Sequence, residues 1–280
     1  MEEKELTIEE IHQFTLGNLK KIIEICDKLS INYFLAYGTL LGAVRHKGFI
    51  PWDDDFDIIM FRPDYDKFCE YCIKNEKTLA PYKLINKYTA TDYPYNISRF
   101  SDSRFRMERM DNIPDAGVGV FIDIYPYEGV GNCNKVIAKY FGLRNKLLMM
   151  LWDFSFTDRY TTVNSNIIFS ILKAPVVWYA HKRGARHFLN KLDKLNGLFD
   201  FNKSTYVATL VWEDQFISFM KDIFMDYKYM EFEGIKVKVP NDWDYFLRQF
   251  YGDYMKLPPK EQQVATHNYK LFYKNSDKRL

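Results

Sequence analysis

The sequence predicts a mixed α/β (α+β) fold, a small mixed sheet with flanking helices plus a helical lobe. Three observations predict it. The chain opens on a helical apolar repeat; short apolar runs then alternate with helical patterns to about residue 130; from about 135 to 200 the pattern is long helices alone. These shifts divide the chain into 1–134, a catalytic core, 135–225, a helical lobe or insertion, and 226–280, a segment packing back on the core to make one compact unit. At 280 residues the chain is long enough to bury such a core.

The elements follow in order. Residues 7–29 read as an amphipathic helix, with Thr7 and Glu10 as a capping box and Ile8, Ile11, Leu19, Ile22, Ile23 and Cys26 at helical spacing. A strand over Tyr33–Tyr37 stops at a Gly38-Thr39 turn, and a short helix over 40–46 leads into a loop ending near Trp52. A second strand covers about 56–61, and Asp64 can cap a helix from about 64 to 77. Residues 82–110 are strand-like, broken by polar turns, and carry Arg99, Arg104, Arg106 and Arg109. The most apolar strand of this half is 118–125, with Asp123 inside it. Among the later helices, Pro175 breaks or kinks one. A hairpin over 228–239 turns at Glu233-Gly234, and a helix follows at 241–250. Tyr251-Gly252-Asp253-Tyr254 and Pro258-Pro259 read as a helix stop and a packed tail rather than a substrate contact.

Composition excludes several classes. Hydrophobic content of 47% and charged content of 27% are those of an ordinary globular protein. The 39 basic and 37 acidic residues leave a net charge of +2, so nothing in the overall charge argues for a nucleic-acid partner. The charged start MEEKELTIEE lacks the apolar core of a signal peptide. The apolar stretch at 167–180 is interrupted by Lys173 and Pro175 and falls short of the roughly 20 residues a spanning helix needs. A cytoplasmic protein is expected. The stretch 166–188, which mixes Phe169, Ile171, Leu172, Val176, Val177 and Trp178 with Lys173, His181, Lys182, Arg183 and Arg186, is a candidate for peripheral contact with the inner face of an anionic membrane. Cys69 and Cys72 form a CxxC inside a helical pattern, without the second pair a zinc site needs, and are read as buried thiols. Aromatic residues make up 18% of the chain, enough to furnish both a core and a ring-lined binding site.

The chemistry concentrates in residues 37–61, YGTLLGAVRHKGFIPWDDDFDIIMF. Four carboxylates, Asp53, Asp54, Asp55 and Asp57, fall within five positions of it. On a strand, residues two apart share a face, so Asp55 and Asp57 would converge as a hard divalent cation requires. Asp123 stands alone on an apolar strand, where a charge needs a partner. That partner is either an arginine from 99–109 or the same cation, with Asp55, Asp57 and Asp123 as ligands. Three carboxylates on neighbouring strands suit phosphoryl-type transfer assisted by Mg²⁺ or Mn²⁺. Backbone amides at Gly38-Thr39 can cradle a phosphate, and Arg45, His46 and Lys47 can hold a diphosphate. Arg45 and Arg99 are the candidates for direct phosphate contact.

The run GTLLGAVRHKGFIPWDDDFDI resembles the signature of the LicD family, within the nucleotidyltransferase-fold superfamily that includes the fukutin-related proteins. FIDIYP at 121–126 and FEGIKVKVPNDWDYFLRQFYGDYMKLPP at 232–259, with His267 after it, extend the likeness. The resemblance implies a nucleotidyltransferase-like core and transfer of phosphocholine from CDP-choline, or a similar CDP-alcohol, to a hydroxyl of a cell-surface glycan such as teichoic acid or lipopolysaccharide, releasing CMP. The acceptor could be lipid-linked. The metal roles fall on Asp55, Asp57 and Asp123, with Asp123 as the simplest proton acceptor and His267 as the alternative. Tyr37, Tyr125, Tyr127 and Trp212 are candidate rings around a choline headgroup. Transfer of ribitol or glycerol phosphate, nucleotidyl transfer, or a non-catalytic binding role on the same fold stand as alternatives.

Overall fold

A computed structural model of the chain describes residues 4–156, 167–211, 216–265 and 267–274, and its fold is mixed α/β as expected. Helix α1 (Ile8–Leu29) starts at a complete Thr7–Glu10 capping box and buries Leu19, Ile22, Ile25 and Cys26. Strand β1 is short, Phe34–Leu35, because the chain turns at Tyr37. Tyr37 takes φ 47° and becomes the first residue of α2 (Tyr37–His46). Gly38 and Thr39 therefore lie inside the opening turn of the helix that the sequence placed just after them.

Strand β2 (Asp57–Phe61) leads directly into α3 (Arg62–Lys74). Phe61 occupies the cap position with Pro63 just inside the helix, a position where a missing N–H costs nothing. Asp64 is thus not the cap; its carboxylate accepts the Asn32 amide N–H at 3.0 Å. After α4 (Glu76–Leu79) come β3 (Tyr82–Ile85), β4 (Ser98–Asp102), β5 (Phe105–Arg109) and β6 (Val120–Gly129). The lobe contains α5 (Lys135–Phe154), α6 (Ile167–Arg183) and α7 (Ala185–Asn196). Helix α6 runs through Pro175 rather than breaking there. Strands β7 (Tyr206–Ala208) and β8 (Phe219–Met220) follow. The hairpin β9 (Lys228–Phe232) and β10 (Ile235–Val239), helix α8 (Trp243–Tyr251) and strand β11 (Tyr269–Tyr273) end the described chain. Cys69 and Cys72 are buried free thiols in α3.

The main sheet runs β1-β2-β6-β4-β3, with β7 on the far half of β6 and β8 beyond it. Only β2 and β6 are parallel among the described pairs. Alternation along β6 sorts two cores. Ile122 and Ile124 join the cluster built from α1, α2, α3, α8 and the β9–β10 hairpin. Phe121, one position out of phase, joins the cluster formed with α5, α7, β5 and β11. Asp123 and Tyr125 share the Phe121 face. The lobe is anchored beside this face: the Trp152 indole N–H donates to Pro94 O at 2.7 Å, and the Asn96 side-chain amide to Leu189 O at 3.1 Å.

Candidate active site

The parallel register places Asp57 directly opposite Asp123, and the antiparallel register places Arg99 opposite Asp123 on the other side. Residues opposite one another point to the same face, so the three side chains form a row across β2, β6 and β4. Both alternatives left open for Asp123 therefore have a physical counterpart. Arg99 Nε donates to Asp123 Oδ1 at 2.7 Å and Nη2 to Oδ2 at 3.4 Å, a buried ion pair. Burial disfavours the Arg99 charge, but Asp123 more than compensates and holds the guanidinium above its ordinary range. Arg99 is also stacked over Phe121, at 4.2 Å from guanidinium carbon to ring centre. Its fork is occupied by Asp123, so a direct phosphate contact through Arg99 would have to compete with that carboxylate.

The acidic run is pinned at almost every residue, by groups distant in sequence as well as near ones. Asp53 N–H donates to Ile50 O at 3.0 Å, and His12 Nε2 meets Asp53 O at 2.6 Å. The Asp54 carboxylate meets His267 Nδ1 at 2.6 Å, and Asp54 O accepts from the Tyr269 hydroxyl at 3.0 Å. Asp55 lies 3.3 Å from His267 Nε2. The Asp57 amide donates to Thr39 Oγ1 at 2.8 Å. Asp53 and Asp54 are thus integral to the architecture. Asp55 approaches Asp57 and Asp123 from the connecting segment, not from the strand, which begins at Asp57.

The electrostatics follow from this crowding. Burial raises the Asp57 carboxyl well above its ordinary pKa, and the charges of Asp55 and Asp123 push it further up. Asp55 is raised likewise by burial and then by Asp53. Asp53 is raised by burial, which a hydrogen bond with Asp55 partly offsets. Burial alone would lower the His267 pKa, yet the Asp54 hydrogen bond and the Asp55 charge carry it up to about 9. His267 is therefore an imidazolium at neutral pH, a counter-charge for Asp54 and Asp55.

No three His, Cys, Asp or Glu side chains among the described residues are gathered closely enough to hold a metal by themselves. The expected three-carboxylate cage is not preassembled: like charges repel, and Arg99 engages Asp123. What exists instead is a buried acceptor, Asp57 Oδ1, with no hydrogen-bond partner. Mg²⁺ typically takes one or two carboxylates and fills its shell with water and substrate phosphate oxygens. The hard oxygen donors and the orphaned Oδ1 fit such an ion as part of a substrate-completed site.

Two recesses flank the carboxylates. The larger, about 490 Å³, is bounded by Gly38 and Arg45 of α2, Trp52, Asp53, and the segment from Tyr251 to Val264. At Gly38 a Cβ would stand 2.7 Å from Asp53 Oδ2, so a larger residue there would displace that carboxylate. Arg45 Nη1 donates to Tyr254 O at 3.1 Å, while its Nε is buried with no partner. A guanidinium lining a cleft next to the acidic run suits a phosphate group. The Tyr251–Pro259 block, read from sequence as a packed tail, forms the wall of this cleft. The smaller recess, about 130 Å³, gathers Asp55, Asp123, Arg99, Arg109, Tyr125, Tyr95 and His267.

The other sequence candidates lie outside both recesses. His46 and Lys47 are exposed at the C-terminal end of α2, His46 edge-on to Trp52 and Lys47 giving its carbonyl to the Glu233 amide at 2.8 Å. The Thr39 hydroxyl serves the backbone of Asp57. Tyr37 packs edge-on against Tyr125 at 5.2 Å and against Phe250 at 5.0 Å. Tyr127 is wholly buried, so it cannot surround a headgroup. Trp212 lies outside the described residues. Trp52, Tyr251, Tyr254 and Arg109 were missed as site residues; the only signal was the aromatic spacing of the C-terminal block.

Residues 30–177 match the LicD/FKTN/FKRP nucleotidyltransferase domain. The chain belongs to that family. It is also similar to the lipopolysaccharide cholinephosphotransferase LicD of Haemophilus influenzae, 30% identical over 273 residues, covering 94% of this chain and 97% of that protein. Shorter similarities, 50% identical over 46 residues and 16% of this chain, occur to uncharacterized proteins of Rickettsia prowazekii and Rickettsia typhi, covering 17% and 15% of them. In this family member, then, the acidic run and the β6 aspartate sit side by side. No helix among the described residues is long and apolar enough to cross a membrane.

Proposed function

We propose that this chain is a transferase that moves phosphocholine from CDP-choline to a hydroxyl of a cell-surface glycan, releasing CMP. The carrying observation is the Asp57–Asp123 register with its unpartnered Asp57 Oδ1, in an acidic run whose Asp53 and Asp55 line the two recesses. The similarity to a lipopolysaccharide cholinephosphotransferase over nearly the whole chain supports the same reading. Asp55, Asp57 and Asp123 would hold Mg²⁺ or Mn²⁺, which when bound supplies charge neutralisation at the diphosphate.

The chain's own residues supply the rest. The large cleft takes the donor, with the Arg45 guanidinium on the diphosphate and the positive end of α2 beside it. Trp52, Tyr251 and Tyr254 supply ring faces, and Asp53 and Asp253 negative charge, which together suit a quaternary ammonium better than a neutral polyol. The acceptor hydroxyl oxygen attacks the choline-bearing phosphorus; the new O–P bond forms as the P–O bond to CMP breaks. The hydroxyl proton passes to a carboxylate lining the smaller recess, Asp123 or Asp55. Asp123, the simplest acceptor on the sequence, also accepts from Arg99 through both oxygens, so a proton taken there would compete with that pair.

Purified protein incubated with Mg²⁺, a lipopolysaccharide or teichoic acid acceptor, and CDP-choline, CDP-ribitol or CDP-glycerol tests the reading. CMP release and choline phosphate on the glycan are expected with CDP-choline, and loss of both in Asp57→Asn and Asp123→Asn. Turnover of only a polyol donor would replace choline with that alcohol. Activity surviving both substitutions would remove the metal-assisted mechanism.

A further inference from the structure

Helix α5 has two apolar faces where a surface helix needs one. Phe141, Leu148 and Trp152, with Asn145 between them, are buried against the second core. On the opposite side Val136, Tyr140, Leu143, Leu147 and Met150 recur at alternating four- and three-residue steps and are 78%, 49%, 70%, 49% and 41% exposed. Helical spacing puts Lys135, Lys139 and Lys146 along one edge of that outer stripe and Arg144 along the other. The only acidic residue of α5 is Asp153, near its end.

Charge tells what this face meets. Residues 135–196 hold eleven Lys and Arg against three Asp and Glu, a net of +8, so the rest of a chain with total charge +2 carries −6. A near-neutral protein thus concentrates its positive charge on the lobe that exposes the stripe. A second copy of the same face would bring like charges together, which opposes self-association through it. An anionic surface with an apolar interior satisfies both features: the stripe enters the acyl boundary while the lysines extend to the headgroups.

We propose that the outer face of α5 docks this protein on an anionic lipid membrane, lying in the interface and not crossing it. The sequence pointed to 166–188 instead; there Val177 and Ala180 are buried, Trp178 is exposed, and the side chains of residues 167–172 lie outside those described. The inference uses no residue of the carboxylate site, so it stands or falls apart from the transferase reading.

The test is co-sedimentation of the full-length protein with vesicles of phosphatidylcholine alone and of phosphatidylcholine mixed with phosphatidylglycerol. Binding is expected only to the anionic vesicles. Lys139→Gln with Lys146→Gln should weaken it about 30-fold, the effect of two charges near the surface. Leu143→Glu with Leu147→Glu should abolish it, with an unchanged circular dichroism spectrum; if that pair misfolds, the exposed lysine pair decides alone. Equal binding to neutral vesicles, no binding to anionic ones, or full binding by the lysine variant overturns the proposal. So does a dimer, seen by light scattering, that the leucine pair dissolves while vesicle binding is absent.

Discussion

Asp57→Asn should stabilise the metal-free protein while destroying its activity. Asp57 is buried, its Oδ1 has no partner, and Asp55, Asp53 and Asp123 all push against its charge. Asparagine keeps the shape and removes the charge. Relief of one poorly satisfied buried group is worth about 1–3 kcal/mol. At roughly 2.1 cal/mol/K per residue, an unfolding entropy near 0.6 kcal/mol/K for this chain turns that into a rise of about 2–5 °C. The assay is calorimetry of both proteins in EDTA. The pH dependence has a definite sign. A carboxyl whose folded pKa is raised holds its proton more tightly when folded, so wild-type stability falls as pH climbs from about 4 towards the folded value. The advantage of Asp57→Asn should open across that window and close below it. Added Mg²⁺ should then raise the wild-type unfolding free energy by about 2.7 kcal/mol at a hundredfold excess over its dissociation constant, and leave the variant unmoved. A variant less stable than wild type in EDTA would refute the reasoning, because Asp57 would then be a satisfied structural carboxylate.

Three other substitutions probe the supports of the site. Arg99→Met strands the buried Asp123 carboxylate and should cost about 3–5 kcal/mol in denaturant unfolding, the opposite sign to Asp57→Asn. Thr39→Val removes the acceptor of the buried Asp57 amide and should cost about 1–3 kcal/mol along with turnover, whereas Thr39→Ser retains both. His267→Ala tests a pH-dependent clasp: the folded pKa is raised to about 9, so its contribution is complete below about pH 6.5 and lost as pH rises through 9. With the imidazole 37% exposed, solvent screening discounts that contribution to about 1 kcal/mol. Unfolding free energies of wild type and variant should therefore converge in alkali.

The parts legible in the sequence are those governed by local periodicity or by a charge in the wrong place. Helix α1 announced itself through its capping box and repeat, and the β9–β10 hairpin through Glu233-Gly234 between alternating runs. Asp123 stood out as a lone charge on an apolar strand. The start of α2 was not legible, because Tyr37 adopts a positive φ that no propensity favours, in a helix whose Thr39 is fixed by the Asp57 amide 18 residues later. Nor was His267: its partners are Asp54 and Asp55, more than two hundred residues away, and nothing local in the sequence marks such a pair. Tyr251 and Tyr254 looked like the end of a helix because they are one; that the helix end walls a cleft is a tertiary fact.

Five carboxylates crowded into a part-buried site would repel one another unless the fold answered each of them, and the answers are unequal. Arg99 neutralises Asp123 from the sheet, and the His267 imidazolium faces Asp54 and Asp55 from the segment leading into β11. Asp53 lies against Gly38 at the amino end of α2, where the helix dipole favours negative charge. Asp57 receives only a hydrogen bond at its backbone N–H; among the described residues no cation is paired with its carboxylate. The charge left unanswered is thus confined to one residue, at the β2 end of the row beside Asp123. A structural acidic cluster would have no reason to leave its most buried member uncompensated. A site whose missing positive charge arrives with the substrate would leave that member bare.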